Sequence, residues 1–125
     1  MNTRILPRLA ACLVVGAAFT AQAAELRVTC EKRASRSKAS VDGSDLAAGQ
    51  YRAVLRSGTN VARSGWQAAV GDEAQFDFDS RQADIAEGAT AIAPDFIVDG
   101  RVRGHLVDAS GVRVTPVVTA ICRVR

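Results

Sequence analysis

Val118-Thr119-Ala120-Ile121-Cys122-Arg123-Val124 and Leu26-Arg27-Val28-Thr29-Cys30-Glu31 are the two stretches that decide the fold. Each repeats every second residue, the period of a strand with one face buried and one in water. Leu26, Val28 and Cys30 share one side of the first; Val118, Ala120, Cys122 and Val124 share one side of the second. Both cysteines therefore fall on apolar faces. That agreement predicts a disulfide between Cys30 and Cys122, with the first and last strands lying side by side.

The bond requires an oxidising compartment, and residues 1–23 read as the leader that delivers the chain to one. Arg4 and Arg8 form a short basic region, residues 9–19 form an apolar run, and Thr20-Ala21-Gln22-Ala23 offers small residues for cleavage. An apolar run of this length is too short for a membrane helix, which needs about 20 residues, and no second one follows. Leu9-Ala10-Ala11-Cys12 matches the box that precedes a lipidated cysteine. The apolar run lies mostly after Cys12, however, and that order fits a cleavable leader better. The expectation is a periplasmic or secreted protein with no membrane span once the leader is removed, and a single domain over 24–125.

Removal of the leader takes Cys12 with it and leaves Cys30 and Cys122 as a pair. Their separation does not suit a redox-active pair, which is usually C-x-x-C. The leader also holds two of the 16 basic side chains, so the remaining domain carries 14 against 13 acidic ones. That near balance gives no global argument for nucleic acid, and an aromatic content of 5% provides no evident stacking platform for bases.

Alternation continues between the cysteines. Tyr51, Ala53 and Leu55 face away from Arg52 and Arg56; Phe76 and Phe78 face away from Asp77 and Asp79. Turn signals at Asp42-Gly43, Ala48-Gly49, Ser57-Gly58, Gly71-Asp72, Asp99-Gly100 and Ser110-Gly111 punctuate the strands at the spacing of a sandwich. Two hairpins are expected, 50–57 with 61–69 and 101–108 with 112–120. Residues 81–93 hold Gly88, Thr90, Ile92 and Pro94 at the border, and predict a loop or single turn leading into a strand. The fold expected is an all-β, antiparallel, immunoglobulin-like β-sandwich of seven or eight strands. A small closed β-barrel is the alternative, because pairing the first and last strands is also how a barrel closes. Trp66, after Gly65, is either the buried aromatic of that sandwich or a half-exposed residue at a bulge.

The chemistry-bearing residues are few. His105 is the only histidine. It lacks a G-x-S-x-G elbow and the ligand partners of a zinc site, so it is expected on an outer strand face beside Arg101 and Arg103. Asp77, Asp79 and Asp84 are crowded enough to suggest calcium but lack the EF-hand spacing and its glycine; Asp77 and Asp79 are read instead as an outward, solubilising strand face. Lys32, Arg33, Arg36 and Lys38 make the densest basic stretch and are expected on a projecting loop. With Arg101 and Arg103 they are the candidate binding residues for an anionic surface or acidic protein partner. The sequence thus points to a non-enzymatic binding or structural module with one structural disulfide and no metal or cofactor. A small enzyme inhibitor, or a hydrolase using His105, is the alternative.

Overall fold

A computed structural model describes residues 24–125; the leader expected over 1–23, with Cys12, lies outside the described residues. Alternating burial drives the strand pairing. In β1 (Glu25–Arg33), β2 (Arg36–Ser44) and β6 (Ala74–Asp79), Val28, Ala39, Val41, Phe76 and Phe78 point inward. They build one sheet, in which β1 pairs with β2 and β2 with β6, all antiparallel. The second sheet is β4 (Asn60–Arg63), β3 (Gln50–Ser57), β8 (Arg101–Asp108) and β9 (Val118–Ile121), in that order. Its inward residues include Tyr51, Ala53, Leu55, Val102 and Leu106. The short β5 (Gln67–Ala68) pairs with the start of β3.

This is the strand order of an immunoglobulin-like sandwich, with seven strands of four residues or more. The closed barrel is excluded, since the strands sort into two separate sheets with edges of their own. Two edge pairs run parallel. β7 (Thr90–Ala91) joins β6 at one side of the first sheet, and β10 (Arg123–Val124) joins β1 at the other.

The last strand splits between the sheets. Residues 118–121 pair with β8, then the chain crosses at Cys122 and pairs Arg123 with Glu31 and Val124 with Lys32. Cys122 is 6% exposed at the crossing, and its disulfide to Cys30 spans 4.6 Å between Cα atoms. The single parity expected for residues 112–124 fails at both ends: Val112, beside the turn at 109–111, is 58% exposed, and Val124, beyond the crossing, is 67% exposed.

Both expected hairpins form, each interrupted by a hydroxyl that replaces a backbone acceptor. Ser64 Oγ accepts from the Ala53 amide at 2.9 Å, and Thr115 Oγ1 accepts from the Leu106 amide at 3.0 Å. Pro116, which has no amide to donate, explains the break before β9. The break in the first hairpin frees Gly65 and Trp66 to turn outward.

Between β7 and β8 the chain covers one end of the core with Ile92, Phe96 and Ile97. Two buried serines hold it there. Ser37 Oγ donates to Pro94 O at 2.7 Å, and Ser57 Oγ donates to Arg101 O at 2.7 Å while accepting from the Val98 amide at 2.7 Å. Gly104 sets the spacing of the sheets at its own position. A Cβ there would sit 3.2 Å from Val28 Cγ2 and 3.3 Å from Val41 Cγ2, on the opposite sheet.

The segment 81–93 behaves as expected, as the short α1 (Gln82–Ala86) followed by β7. It overturns the expectation that Asp77 and Asp79 both face water. Asp77 does, accepting from Ser40 Oγ at 2.8 Å; Asp79 is 2% exposed beneath this segment. A buried carboxylate must be paired, and Arg36 supplies two parallel bonds of 3.0 and 2.7 Å. Burial pushes the Asp79 carboxyl up, but the Arg36 fork and the amides of Arg81 and Ser80 outweigh it and hold it below its ordinary value.

The disulfide closes almost the whole described chain into one loop, worth about 4–5 kcal/mol in the chain-entropy view. Cys122→Ser is expected to lower unfolding free energy by several kcal/mol in chemical denaturation. Wild-type protein should lose the same amount under reducing conditions; denaturation curves that do not move would contradict the structural role.

Candidate functional site

The residues proposed for binding do not form one patch. Lys32, Arg33, Arg36 and Lys38 lie in the first sheet, and Arg101 and Arg103 in the second. Nor do the first four project on a loop. β1 and β2 run to within two residues of each other, with Arg33 paired to Arg36 across an Ala34-Ser35 turn. Three of the four already have partners. Arg36 is held by Asp79 and, at 3.2 Å, by Asp84; Arg33 meets Glu31 at 2.6 Å; the Lys32 ammonium donates to the Arg33 carbonyl. Lys38 is exposed beside Glu31 and Asp79 on the neighbouring strands.

The acidic residues are likewise engaged. Asp84 accepts from Arg81 at 2.5 Å as well as from Arg36, so Asp77, Asp79 and Asp84 do not converge on one point. Among the described residues, no three His, Cys, Asp or Glu side chains gather as metal ligands do.

Arg101 and Arg103 have different company. With Val102, Gly104 and Leu106 inward, β8 turns Arg101, Arg103, His105 and Val107 outward. Register then places β3 residues beside them: Arg56 stands opposite Arg103, Val54 opposite His105, and Arg52 opposite Val107. On the far side of β3, Arg63 of β4 stands opposite Val54. On the far side of β8, Arg113 bridges to Val107. One sheet face thus carries Arg52, Arg56, Arg63, Arg101, Arg103, Arg113 and His105.

No carboxylate neutralises this face. The five ion pairs among the described residues use Arg33, Arg36, Arg81 and Arg125, and none of the six face arginines. Asp99 and Asp108 stand at the two ends of β8, and Asp108 is turned to the backbone amides of Ser110 and Val112. Like charges placed directly across a strand pair are unfavourable, so the Arg56–Arg103 arrangement costs stability.

Trp66 shapes the face. It is 43% exposed, which settles the two expectations for it in favour of the exposed one. The Arg52 guanidinium lies 4.4 Å from its ring centre, a cation–π distance. Beneath them Val54 is 5% exposed yet stands apart from the interior cluster, because it points outward and is covered by these side chains. His105 is half-buried in the same recess. Burial lowers its pKa first, and the positive fields of Arg113, Arg56 and Arg63 lower it further. No serine hydroxyl or carboxylate lines this recess, so the geometry gives the imidazole no nucleophile and no orienting acid.

Comparison with protein-family models, curated proteins and solved structures returns no match. The site must be read from its own geometry. Sequence reasoning found Arg101, Arg103 and the outward position of His105, but missed Arg52, Arg56, Arg63 and Arg113. Their outward parity was visible; the pairing of β3 with β8 was not.

Since the folded His105 is shifted down, its neutral form belongs to the fold. The stability it contributes is complete above the ordinary histidine range and is lost as pH falls through the folded value. The single imidazole is expected to titrate in NMR below an unperturbed histidine, and Arg63→Ala or Arg113→Ala should raise the midpoint. A midpoint at or above the ordinary value would contradict the crowded cationic setting.

Proposed function

We propose that this protein is a non-enzymatic binding module of the periplasm or extracellular space, and that the outer face of its second sheet receives an anionic partner. One observation carries the reading. The arginines in ion pairs all lie elsewhere, while six on this face have no carboxylate and two of them oppose each other directly. The opposed Arg56 and Arg103 cost the fold stability, whereas an approaching polyanion is attracted by them. The disulfide and the leader pattern support an oxidising location, and the absence of a long apolar helix among the described residues is compatible with it. Arg101 and Arg103 belong to the proposed surface; Lys32, Arg33, Arg36 and Lys38 do not take part in it.

The unpaired arginines are spread over three paired strands, so the expected partner presents repeated negative charge, as an acidic protein surface or anionic polymer does. Dextran sulfate is a suitable probe. Arg56→Glu with Arg103→Glu should weaken its binding by about tenfold or more, and rising salt should weaken the wild-type interaction steeply. Lys32→Glu with Lys38→Glu should change it little. Equal losses from both pairs of substitutions, or binding indifferent to salt, would overturn the assignment to this face.

A further inference from the structure

We infer that the recess over Val54, ringed by Arg52, Arg56, Arg63, His105 and Trp66, is a subsite for a phosphomonoester borne on an organic group. This deepens the reading of the whole face as an anion surface and rests on it.

Register explains why a recess forms here. Arg63 and His105 flank Val54 directly across the two strand pairings, while Arg52 and Arg56 stand two residues before and after it on β3. Side chains two apart on a strand are about 7 Å apart, and those on adjacent strands about 5 Å. Four potential donors therefore surround one small residue, and they rise above it to leave a hollow of about 270 Å³. That volume suits one anionic group with a small attachment rather than a long polymer segment.

Two further observations point to a ligand. Arg52 Nε is buried and has no hydrogen-bond acceptor among the described residues. A buried donor without an acceptor is unfavourable, and an oxyanion in the recess would supply one. Arg52 also lies over the Trp66 ring, which keeps its guanidinium at the edge of the recess.

Charge selects the ligand class. Three guanidiniums ring the hollow, Arg103 and Arg113 lie next to it, and His105 can add a further proton. A single carboxylate would leave most of this charge unanswered, whereas a phosphomonoester approaches two negative charges and offers three oxygens to planar arginine forks. Val54, Val107 and the exposed part of the Trp66 indole add apolar surface to the lining, and favour an organic substituent over bare inorganic phosphate. The same chemistry occurs on a soluble phosphorylated molecule and on a lipid with a monoester headgroup.

Phenyl phosphate is the direct probe, followed through the His105 imidazole and Trp66 fluorescence of the purified protein. Binding should move the His105 titration midpoint upward, because a bound dianion opposes the field that Arg113, Arg56 and Arg63 impose on it. Inorganic phosphate should bind more weakly than phenyl phosphate. Arg63→Ala should weaken phenyl phosphate by about tenfold or more, and Arg63→Lys, which keeps the charge but loses the fork, should fall between.

Vesicles carrying phosphatidic acid distinguish the two sources. Binding to them as well as to phenyl phosphate assigns a lipid headgroup; binding to phenyl phosphate alone assigns a soluble ligand. Equal binding to phosphatidylglycerol vesicles, whose phosphate is a diester, would overturn the monoester assignment. So would phenyl phosphate binding that leaves His105 unmoved or survives Arg63→Ala. Dextran sulfate binding without any phenyl phosphate binding would remove the subsite and leave the anionic face intact. Failure of both would remove the face as well.

Discussion

The chain changes sheets at Cys122, and the rest of the molecule is arranged around that crossing. One residue earlier it belongs to the second sheet; one residue later it belongs to the first. A covalent bond to Cys30 fixes the crossing against β1, so that the last strand cannot slide along either neighbour. Register matters here more than in most sandwiches. A slip of one residue exchanges the two faces of a strand, and in β8 it would turn Arg101, Arg103 and His105 into a core built from Val102, Gly104 and Leu106.

Charge is distributed between the sheets in two distinct ways. Next to the first sheet, arginines and carboxylates neutralise one another. Arg36 reaches across to the buried Asp79, and α1 brings Asp84 and Arg81 to complete the group. There the ionic residues hold the cover segment onto the sheet. On the outer face of the second sheet, arginines meet only one another, an imidazole and an indole. The first arrangement stabilises the fold, and the second costs it some stability. That difference is the physical ground for assigning binding to one sheet and structure to the other.

Much of the architecture was legible in the sequence because it rests on local pattern. The parity of Cys30 and Cys122, the alternation of Tyr51, Ala53 and Leu55, and the Phe76–Phe78 pair each need only a neighbouring residue to interpret. The features that escaped depend on long-range pairing. Asp79 has the parity of a solvent-facing residue and became buried because α1 and β7 fold back over it. Arg36 sits in a basic run and is consumed by a carboxylate 43 residues away. The recess over Val54 needs β3, β4 and β8 aligned at once, and nothing in the order of residues states which strands are neighbours. Val124 marks the opposite case, where a clear alternation crosses a point at which the chain leaves its sheet.

The central claim is that the arginines of the second sheet are kept at a cost to the fold. Thermal melting of Arg103→Gln at low and high salt tests it without any ligand. Arg103 is exposed and stands opposite Arg56, so removing its charge relieves a repulsion while leaving the core untouched. The account predicts that the variant melts above the wild type at low salt, and that the difference shrinks once salt screens the face. A variant that melts below the wild type at both salt concentrations would show that these arginines support the fold, and would contradict the assignment of this sheet to binding.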